Sequence, residues 1–358
     1  MKKKLLYIFN VLLIAVIAVL TVRVLFKDRE LGTILGDLDK ADKLWLLGGA
    51  ALAVLFVAGE SVIIRYLLRL FGTRFSLRRC LKYSFVGFFF SFITPSSSGG
   101  QPAQLYYMRK DGASLGHSSI ILLLVTITYK AVLVVFGAVF LIFGHSFIVS
   151  CVGDWMWLLI VGFVLNIVYI AGLMLLLIKP AAACKLISSC MMLMYRLKLI
   201  KKNRLRSCIA RVKNLERTYT EAAEYIKTHV GAALKVFGMT CVQRLMYFAV
   251  TWVVYRSCGL SGTSFMGVIA VQTMICITVE MLPLPGAAGI TEACFIVMFG
   301  GIFGESFVKT GLLLTRGLTY YLILLIGAAV TFGTHISSRR KQSSAPGDKA
   351  PAEERFAA

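Results

Sequence analysis

Residues 92–108 read FITPSSSGGQPAQLYYM and interrupt an apolar part of the chain. They follow the apolar run YSFVGFFFS and place Pro95, three serines and two glycines where a membrane helix would continue. Lipid provides no water for the backbone groups that a broken helix leaves free, so non-helical backbone at membrane depth persists only inside protein or beside a wet cavity. We therefore predict a binding site at this break.

The composition around this break is that of an integral membrane protein. Of the 358 residues, 58% are hydrophobic, which is more than the core of a globular domain of this size needs. Six apolar windows reach the length of about 20 residues that crosses about 30 Å of hydrocarbon. They cover residues 5–25, 44–64, 119–144, 155–178, 232–255 and 311–332.

Two further apolar regions, residues 83–108 and 265–301, are each broken in the middle. The predicted fold class is therefore an all-α polytopic membrane protein with about six full spans and two broken re-entrant helical hairpins. The predicted membrane domain comprises residues 1–336. The polar residues 337–358 predict a disordered cytoplasmic tail.

The distribution of basic residues predicts the orientation. The formal net charge is +22, and short loops rich in Lys and Arg remain on the cytoplasmic side. Basic clusters at residues 2–4, 65–82, 179–228 and 339–341 all agree with one topology. We expect a multi-pass protein of the cell membrane with both termini in the cytoplasm.

The basic segment 184–230 predicts amphipathic helices on the cytoplasmic face, because Ile187, Met191 and Met194 recur at helical spacing. One interpretation is a loop that lies on the membrane and sets the orientation. The other is a surface that grips anionic lipid headgroups or transfer RNA. We favour the first and do not expect nucleic acid as a partner.

The second broken region, VEMLPLPGAAGITEACFIVMFGG, repeats a spacing of the first. Each has a proline four residues before a glycine, and we expect the helix to resume seven residues past the proline. These positions are Pro95, Gly99 and Pro102, then Pro285, Gly289 and Glu292. The flanking spans run in opposite directions in the predicted topology. We therefore predict an inverted-topology repeat, residues 44–144 and 232–332, whose broken helices hold a substrate near the bilayer midplane.

Charged side chains within the apolar regions give the predicted site its chemistry. A charge near the bilayer centre costs roughly 2.5–3.5 kcal/mol on insertion scales, so such residues normally face a cavity or a partner. In this chain they are Lys130, Arg244, Arg316, Glu60, Glu280 and Glu292. In one interpretation the three cations line a groove that holds a phosphate. In another, the two arginines neutralise Glu280 and Glu292 as structural pairs, and in a third they snorkel to the interface.

We predict that the two breaks and these charges form one substrate site, in which helix N-termini and neutral donors complete the contacts of a phosphate. Its predicted residues are Ser96, Ser97, Ser98, Gly99, Gly100, Gln101, Lys130, Arg244, Glu280, Pro285, Gly286, Gly289, Glu292 and Arg316. The tyrosines nearby are predicted to lie at the membrane interface rather than to bind a ligand. They are Tyr106, Tyr107, Tyr320 and Tyr321.

The motifs TPSSSGGQPAQLYYMRKDG and LPLPGAAGITEA resemble the paired motifs of the lysylphosphatidylglycerol synthase transmembrane-region family. This flippase-like membrane domain also occurs in bacterial multiple peptide resistance factor. The family's first motif usually reads closer to P-G-G-x-G-G-E-P-A-R, whereas here Gln101 stands in place of the acid and Gln104 in place of the arginine. The resemblance implies lipid handling. Because few residues follow the last predicted span, it also implies a stand-alone form without the soluble aminoacyltransferase domain of the synthases.

No residue pattern indicates a cofactor, a metal or a catalytic group. The nine cysteines include no C-x-x-C pair, the four histidines are isolated, and no nucleotide-binding fingerprint occurs. We expect no cofactor, no metal and no catalytic residue.

These observations leave three function hypotheses. The first is a flippase-like phospholipid translocase for an anionic or lysyl-modified phospholipid, which needs no nucleophile. The second is an enzyme, a phosphatidylglycerol lysyltransferase, which would need an acceptor site and a transfer-RNA surface. The third is a lipid-binding subunit of such an enzyme. The expected partners are membrane phospholipid and either a further copy of the chain or a lipid-modifying enzyme.

Overall fold

Helices form nearly all of the chain that the computed structural model describes, which comprises residues 41–95, 97–196, 212, 230–282, 284, 286–287 and 289–343. No β-strand occurs within these ranges, so the predicted all-α class is confirmed. The first predicted span, residues 5–25, lies outside the described residues. So do most of the basic segment 184–230 and residues 344–358 of the tail.

Eleven α-helices follow one another along the described ranges. In chain order they are α1 Lys43–Leu70, α2 Leu77–Ile93, α3 Gly100–Lys110, α4 Leu115–Phe143, α5 His145–Val152, α6 Met156–Ile178, α7 Pro180–Arg196, α8 Val230–Ser257, α9 Phe265–Val279, α10 Ile290–Arg316 and α11 Leu322–Ser343. A 3-10 turn, Gly153–Trp155, joins α5 to α6. A π-helical turn, Gly317–Tyr321, joins α10 to α11.

Five stretches of the described chain are long and apolar enough to cross a membrane. They are Lys43–Leu70, Leu115–Phe143, His145–Ile178, Gly231–Ser257 and Ile290–Thr334. Each predicted span that falls on described residues coincides with one of these stretches or lies within it. The protein is therefore a multi-pass membrane protein.

The stretch Ile290–Thr334 is not one straight helix. Gly304, with φ 70° and ψ 162°, breaks the helical backbone inside α10, and glycine adopts a positive φ without a Cβ clash. The predicted span 311–332 therefore begins inside α10, past this kink, and the helix continues to Ser343. Residues 337–343 of the predicted disordered tail are consequently helical, which corrects that part of the prediction.

Both predicted helix breaks are present, one between α2 and α3 and the other between α9 and α10. The prediction that the helices resume at Pro102 and Glu292 is wrong by two residues in each case, because they resume at Gly100 and Ile290. Pro102 fits inside the first turn because the first N–H groups of a helix have no intrahelical partner.

The helices that precede the breaks are held by helices from elsewhere in the chain. α2 packs against α11 as well as α3, and α9 packs against α4 and α6. α1 packs along α8, where a Cβ on Gly59 would lie 3.1 Å from Cγ of Gln243. The break regions are thus enclosed by helices from both parts of the chain.

Helix α9 is enclosed on every side, since each residue from Val268 to Val279 is buried. Its 15 residues span about 22 Å at 1.5 Å per residue, less than the hydrocarbon thickness of about 30 Å. α6 crosses α9 closely at Gly162, where a Cβ would lie 2.5 Å from the carbonyl oxygen of Ile277. The side chain of Asn166 on α6 donates a hydrogen bond to the same oxygen at 3.2 Å.

A polar contact closes the open end of the first hairpin, which consists of α2 and α3. The side chains of Lys82 and Tyr83 on α2 both donate to Oδ2 of Asp111, which follows α3, and the Tyr83 bond measures 2.6 Å. Burial tends to raise the pKa of Asp111, but the hydrogen bonds from Lys82 and Tyr83 outweigh burial and hold that pKa below its usual value. The contact ties the two hairpin helices together.

Of the basic segment, the structure describes α7 and Val212. α7 begins at Pro180 and ends at Arg196, so it covers the first part of the predicted amphipathic region. Ile187 and Met194 are exposed on it. The remainder of the segment, including its densest basic run, lies outside the described residues.

The crossing of α6 and α9 predicts a large effect for a single methyl group. Gly162→Ala would place a Cβ against the backbone of Ile277 and Thr278, which cannot yield as a flexible side chain can, and overpacking of this kind costs about 1–3 kcal/mol. The matched control is Gly172→Ala on the same helix, which meets no atom within 4 Å. Thermal unfolding in detergent should show a lower midpoint for the first variant only; equal midpoints would contradict the crossing.

The lowered pKa of Asp111 predicts an acid-sensitive contribution to stability. A carboxyl group whose folded-state pKa is depressed stabilises the fold above its unfolded-state pKa of about 3.9, and this stabilisation is lost as the pH falls through the folded-state value. Unfolding midpoints measured from neutral pH down to about pH 3 should fall less steeply for Asp111→Asn than for the natural sequence. Parallel pH profiles would contradict the assignment.

Candidate functional site

The candidate site lies where the two helix breaks approach each other. We name residues 94–99 the hairpin-1 tip and residues 280–289 the hairpin-2 tip. The hydroxyl of Tyr320 donates to the carbonyl oxygen of Phe92, which precedes the hairpin-1 tip, at 3.3 Å. Its ring lies against Gly286 of the hairpin-2 tip, where a Cβ would be 2.6 Å from Cε2 of the tyrosine. Tyr320 thus connects the two breaks.

The position of Tyr320 corrects one prediction. Its exposed fraction is 4%, so it packs between the two breaks and is not an interfacial residue. Its burial follows from the π-helical turn Gly317–Tyr321, which the sequence did not indicate. Tyr106, in contrast, is 57% exposed.

The two tips share an unusual backbone feature. Ser97 has φ 54° and Ala287 has φ 50°, and they are the only non-glycine residues with positive φ in the described part of the chain. Each lies two residues past the proline of its own tip, Pro95 or Pro285. A side chain in this region of φ/ψ space costs of order 1–3 kcal/mol and persists only where the surroundings enforce it. The sequence correspondence between the breaks therefore extends to their backbone geometry.

Each tip also satisfies its glycine N–H with a side-chain oxygen. In the hairpin-1 tip, Gly99 N–H donates to Oγ1 of Thr94 at 2.8 Å. In the hairpin-2 tip, Gly289 N–H donates to Oε2 of Glu292 at 2.6 Å. These bonds replace the water that a helix end would find outside a membrane. The first tip uses a neutral oxygen for this purpose and the second uses a carboxylate.

Glu280 holds two cations. Its Oε2 accepts from Lys130 Nζ at 2.7 Å, and its two oxygens accept from the Arg244 guanidinium at 2.8 and 3.1 Å. The three residues come from α4, α8 and the end of α9, so this contact joins separate helices. Arg244 is fully buried and also stacks over Tyr129, with Cζ 3.5 Å from the ring centroid. Two-pronged pairing of this kind is the strong geometry for arginine and carboxylate.

Glu292 and Arg316 form a second ion pair. Arg316 Nε donates to Oε1 of Glu292 at 2.8 Å, and its Nη2 donates to the carbonyl oxygen of Gly286 at 3.2 Å. The guanidinium also stacks on Tyr320, with Cζ 5.0 Å from the ring centroid. Arg316 therefore neutralises a buried carboxylate and fixes the backbone of the hairpin-2 tip.

The contacts of Glu280 and Glu292 with their cations lie close together, and we name these residues the ionic cluster: Lys130, Arg244, Glu280, Glu292 and Arg316. Tyr247 lies close enough to Arg244, Glu280 and Arg316 to interact electrostatically with all three. Three cations face two carboxylates, which leaves an excess of one positive charge among these five side chains.

The ionic cluster is partly open. The side chains of Glu280, Arg316 and Lys130 retain exposed fractions of 21%, 12% and 11%. Those of Arg244 and Glu292 are fully buried. The exposed atoms of the ionic cluster thus belong to Glu280, Lys130 and Arg316.

Neutral polar groups occur in the hairpin-1 tip and in the first turn of α3. Ser97, Ser98 and Gln101 are exposed. The Gln101 amide donates to Oγ1 of Thr126, which lies one helical turn before Lys130 on α4. Ser96 and Pro285, which the sequence also predicted for the site, lie outside the described residues.

Two of the predicted site glycines serve close packing. A Cβ on Gly100 would lie 2.7 Å from the carbonyl oxygen of Gly87, and a Cβ on Gly99 would lie 2.7 Å from Cγ2 of Thr94. Both glycines let α3 fold back closely onto α2. Their contribution to the site is therefore its shape.

The sequence left open whether the intramembrane arginines form structural pairs or snorkel to the interface, and the geometry decides this question. The arginines pair with Glu280 and Glu292, as the structural-pair interpretation predicted, and Arg244 does not snorkel because it is fully buried. Lys130 joins Arg244 on Glu280, which the sequence did not predict. The binding of a substrate by these residues stays a prediction.

Sequence reasoning missed the contact between Glu60 and Gln104. The Gln104 amide donates to Oε1 of Glu60 at 2.5 Å, and both side chains are buried. Glu60 was recognisable as a charge inside an apolar span. The sequence could have indicated its partner, because Gln104 is a polar residue one turn after Gln101 on the helix that follows the break.

The fold and the site define a polytopic helical membrane protein with two helix breaks and a partly open ionic cluster beside them. The chain belongs to the family described as the lysylphosphatidylglycerol synthase TM region, whose model matches residues 8–327. The resemblance carried by the two break motifs is thereby confirmed over most of the chain. No curated protein gives a significant match.

The pairing of Arg316 with Glu292 predicts a clear stability pattern. Arg316→Met leaves a buried carboxylate without its cation, and breaking a buried pair in this way costs about 3–5 kcal/mol. Arg316→Met combined with Glu292→Gln removes the orphaned charge and should recover at least about half of the loss. The exposed Arg78→Met is the control, with a change within about 0.5 kcal/mol. Equilibrium unfolding in detergent measures all four proteins, and a double variant no more stable than Arg316→Met would contradict the pairing.

Proposed function

We propose that this protein is a flippase-like phospholipid translocase that admits the phosphate of an anionic or lysyl-modified phospholipid into the ionic cluster. Membership of the lysylphosphatidylglycerol synthase transmembrane-region family supports a lipid substrate. The observation that carries the proposal is the excess of one positive charge in a partly open cluster between two helix breaks. A single phosphodiester carries the charge that would balance it.

The proposed binding step exchanges one anion for another. Lys130 and Arg244 are held by Glu280, the carboxylate with the largest exposed fraction in the ionic cluster. A phosphodiester that displaces the Glu280 carboxylate would accept from the same two cations, because phosphate and carboxylate present similar acceptor oxygens to a guanidinium. The ammonium groups of a lysyl headgroup would pair with the carboxylate of Glu280. The acyl chains would remain in the bilayer.

The proposed translocation step depends on an inverted repeat, residues 44–144 and 232–332. Matching features at the two tips support it: a left-handed residue two positions past each proline and a side-chain cap on each following glycine. Helices α1 and α8, which open the two units, each contain 28 residues. Rocking of one unit against the other around the ionic cluster would expose the headgroup first to one side and then to the other.

The proposed re-entrant character of the hairpins is supported by helix length. α2, α3 and α9 contain 17, 11 and 15 residues, each below the roughly 20 that cross the hydrocarbon. In this proposal the two hairpins enter the membrane from opposite sides, both termini are cytoplasmic, and the breaks meet inside the bilayer.

The second candidate is phosphatidylglycerol lysyltransferase or a lipid-binding subunit of one. The family description, which names a synthase, is the observation in its favour. Formation of lysyl-phosphatidylglycerol in cells that carry this gene as their only member of the family would support the enzyme. Formation that also requires a co-expressed transferase would support the subunit.

The translocase proposal predicts phosphate-dependent lipid movement. Purified full-length protein in liposomes should move phosphatidylglycerol or lysyl-phosphatidylglycerol between leaflets and should not move a glycolipid that lacks phosphate. Arg244→Gln removes a charged hydrogen-bond donor worth about 1.5–3 kcal/mol, so the rate should fall at least about tenfold. Lys130→Gln should act in the same direction.

The matched control is Lys235→Gln, an exposed lysine on the same helix as Arg244, which should retain the natural rate. Size-exclusion profiles establish that each variant is folded. The proposal would be rejected if the glycolipid moved as fast as the phospholipids, or if the Arg244 variant moved lipid at the natural rate.

A further inference from the structure

Glu60 differs from the carboxylates of the ionic cluster because no cation of the described residues forms an ion pair with it. It lies on α1 with an exposed fraction of 8%. Glu280 has two cations within 2.8 Å and Glu292 has one within 2.7 Å. The side chains that lie against the Glu60 carboxyl are neutral: the Gln104 amide donates to it at 2.5 Å, and the Ser84 hydroxyl lies beside it.

The groups packed around Glu60 do not supply a charge. The fully buried Ser84 hydroxyl lies beside the carboxyl from α2, and Gln243 on α8 donates to the carbonyl oxygen of Phe56. Charged and titratable groups on the surrounding helices have other partners. Lys82 and Tyr83 on α2 hold Asp111, Lys130 on α4 and Arg244 on α8 hold Glu280, and Tyr129 on α4 lies under Arg244. Arg65 and Arg69, on α1 itself, lie close enough to Cys80 to interact electrostatically with it.

A carboxylate in this setting favours its neutral form. An isolated ionised carboxyl group inside protein or membrane is costly, and it lowers the cost by binding a proton when no cation is available. The amide of Gln104 suits both forms, because it donates through its NH₂ group to a carboxylate and accepts through its oxygen from a carboxylic acid. Glu60 can therefore gain or lose a proton while keeping its partner.

The partner of Glu60 belongs to the first hairpin. Gln104 lies on α3. One turn earlier on the same helix, the Gln101 amide donates to Thr126, which lies one turn before Lys130 on α4. Gly87 of α2 gives the Gln104 side chain its room, since a Cβ there would lie 2.6 Å from Cδ of Gln104. A change at Glu60 therefore acts directly on the helix that follows the hairpin-1 tip.

We propose that Glu60 is a proton-binding site and that its occupancy sets the position of the first hairpin, so that lipid movement is coupled to the movement of one proton. The coupling rests on the proposed translocase function, whereas the proton site does not. With the proton bound, the neutral Glu60–Gln104 pair holds α3 against α1. With the proton released, the charged carboxylate keeps the Gln104 amide as its donor, and the pair shifts toward water together with the hairpin.

The proton site is tested by infrared difference spectroscopy of the full-length protein in liposomes. At pH 7 the carbonyl stretch of a protonated carboxyl group should be present in the natural sequence and lost in Glu60→Gln. It should also be lost in Gln104→Arg, which supplies the missing cation. Glu292→Gln, which changes a carboxylate that already has a cation, should leave the band. A band that survives in Glu60→Gln would overturn the proposal.

The coupling is tested by imposing a pH difference across liposomes that contain the protein and phosphatidylglycerol. With one proton per lipid, a difference of one pH unit supports a ratio of about tenfold between the leaflets, because one unit corresponds to a tenfold change in proton activity. Glu60→Gln mimics the protonated state, should insert normally, and should abolish this accumulation. Gln104→Arg should abolish it as well.

The outcomes separate the two proposals. If the protein of natural sequence moves lipid independently of the pH difference, the coupling is overturned and the translocase proposal is retained. A titrating Glu60 band without any lipid movement would support the proton site and reject the translocase. Accumulation that persists unchanged in both Glu60→Gln and Gln104→Arg would overturn the role of Glu60.

Discussion

Two helices are broken inside a membrane protein, and the backbone groups that the breaks release must be satisfied without water. Most of the polar structure answers this requirement. Thr94 and Glu292 cap the N–H groups of the glycines that follow each break, and Arg316 donates to a carbonyl oxygen of the hairpin-2 tip. Tyr320 then bridges the two breaks.

The two breaks meet this requirement with different chemistry. The hairpin-1 tip has the neutral Thr94, and the neutral Gln101 follows it on α3. The hairpin-2 tip begins with Glu280 and lies beside Glu292 and Arg316. Charged groups are costly at membrane depth unless they are paired, so the second tip must be assembled from several helices at once. The hairpin-2 tip is therefore the charged one, to which the proposed anionic headgroup would be attracted, and the hairpin-1 tip is neutral.

Close packing makes the arrangement rigid enough to hold these charges. Gly162 lets α6 lie against the backbone of α9, and Gly100 lets α3 fold back onto α2. Without a hydrophobic driving force between helices in lipid, such small-residue crossings and interhelical hydrogen bonds supply the association energy. The long helices α1 and α8 pack along each other, and they form the contact about which the two units would rock in the proposed cycle.

The sequence by itself determined the helical class, the spans that the structure describes, the existence of both breaks and the family, because hydrophobic length and proline–glycine spacing are local properties. It also identified Arg244, Arg316, Glu280 and Glu292 as intramembrane charges. Only the tertiary structure decided that Lys130 shares Glu280 with Arg244, that Tyr320 lies between the breaks, and that Glu60 lies against the Gln104 amide and pairs with no cation of the described residues. Those outcomes depend on which faces of distant helices meet, at separations such as the 150 residues between Lys130 and Glu280, and no local pattern encodes that choice.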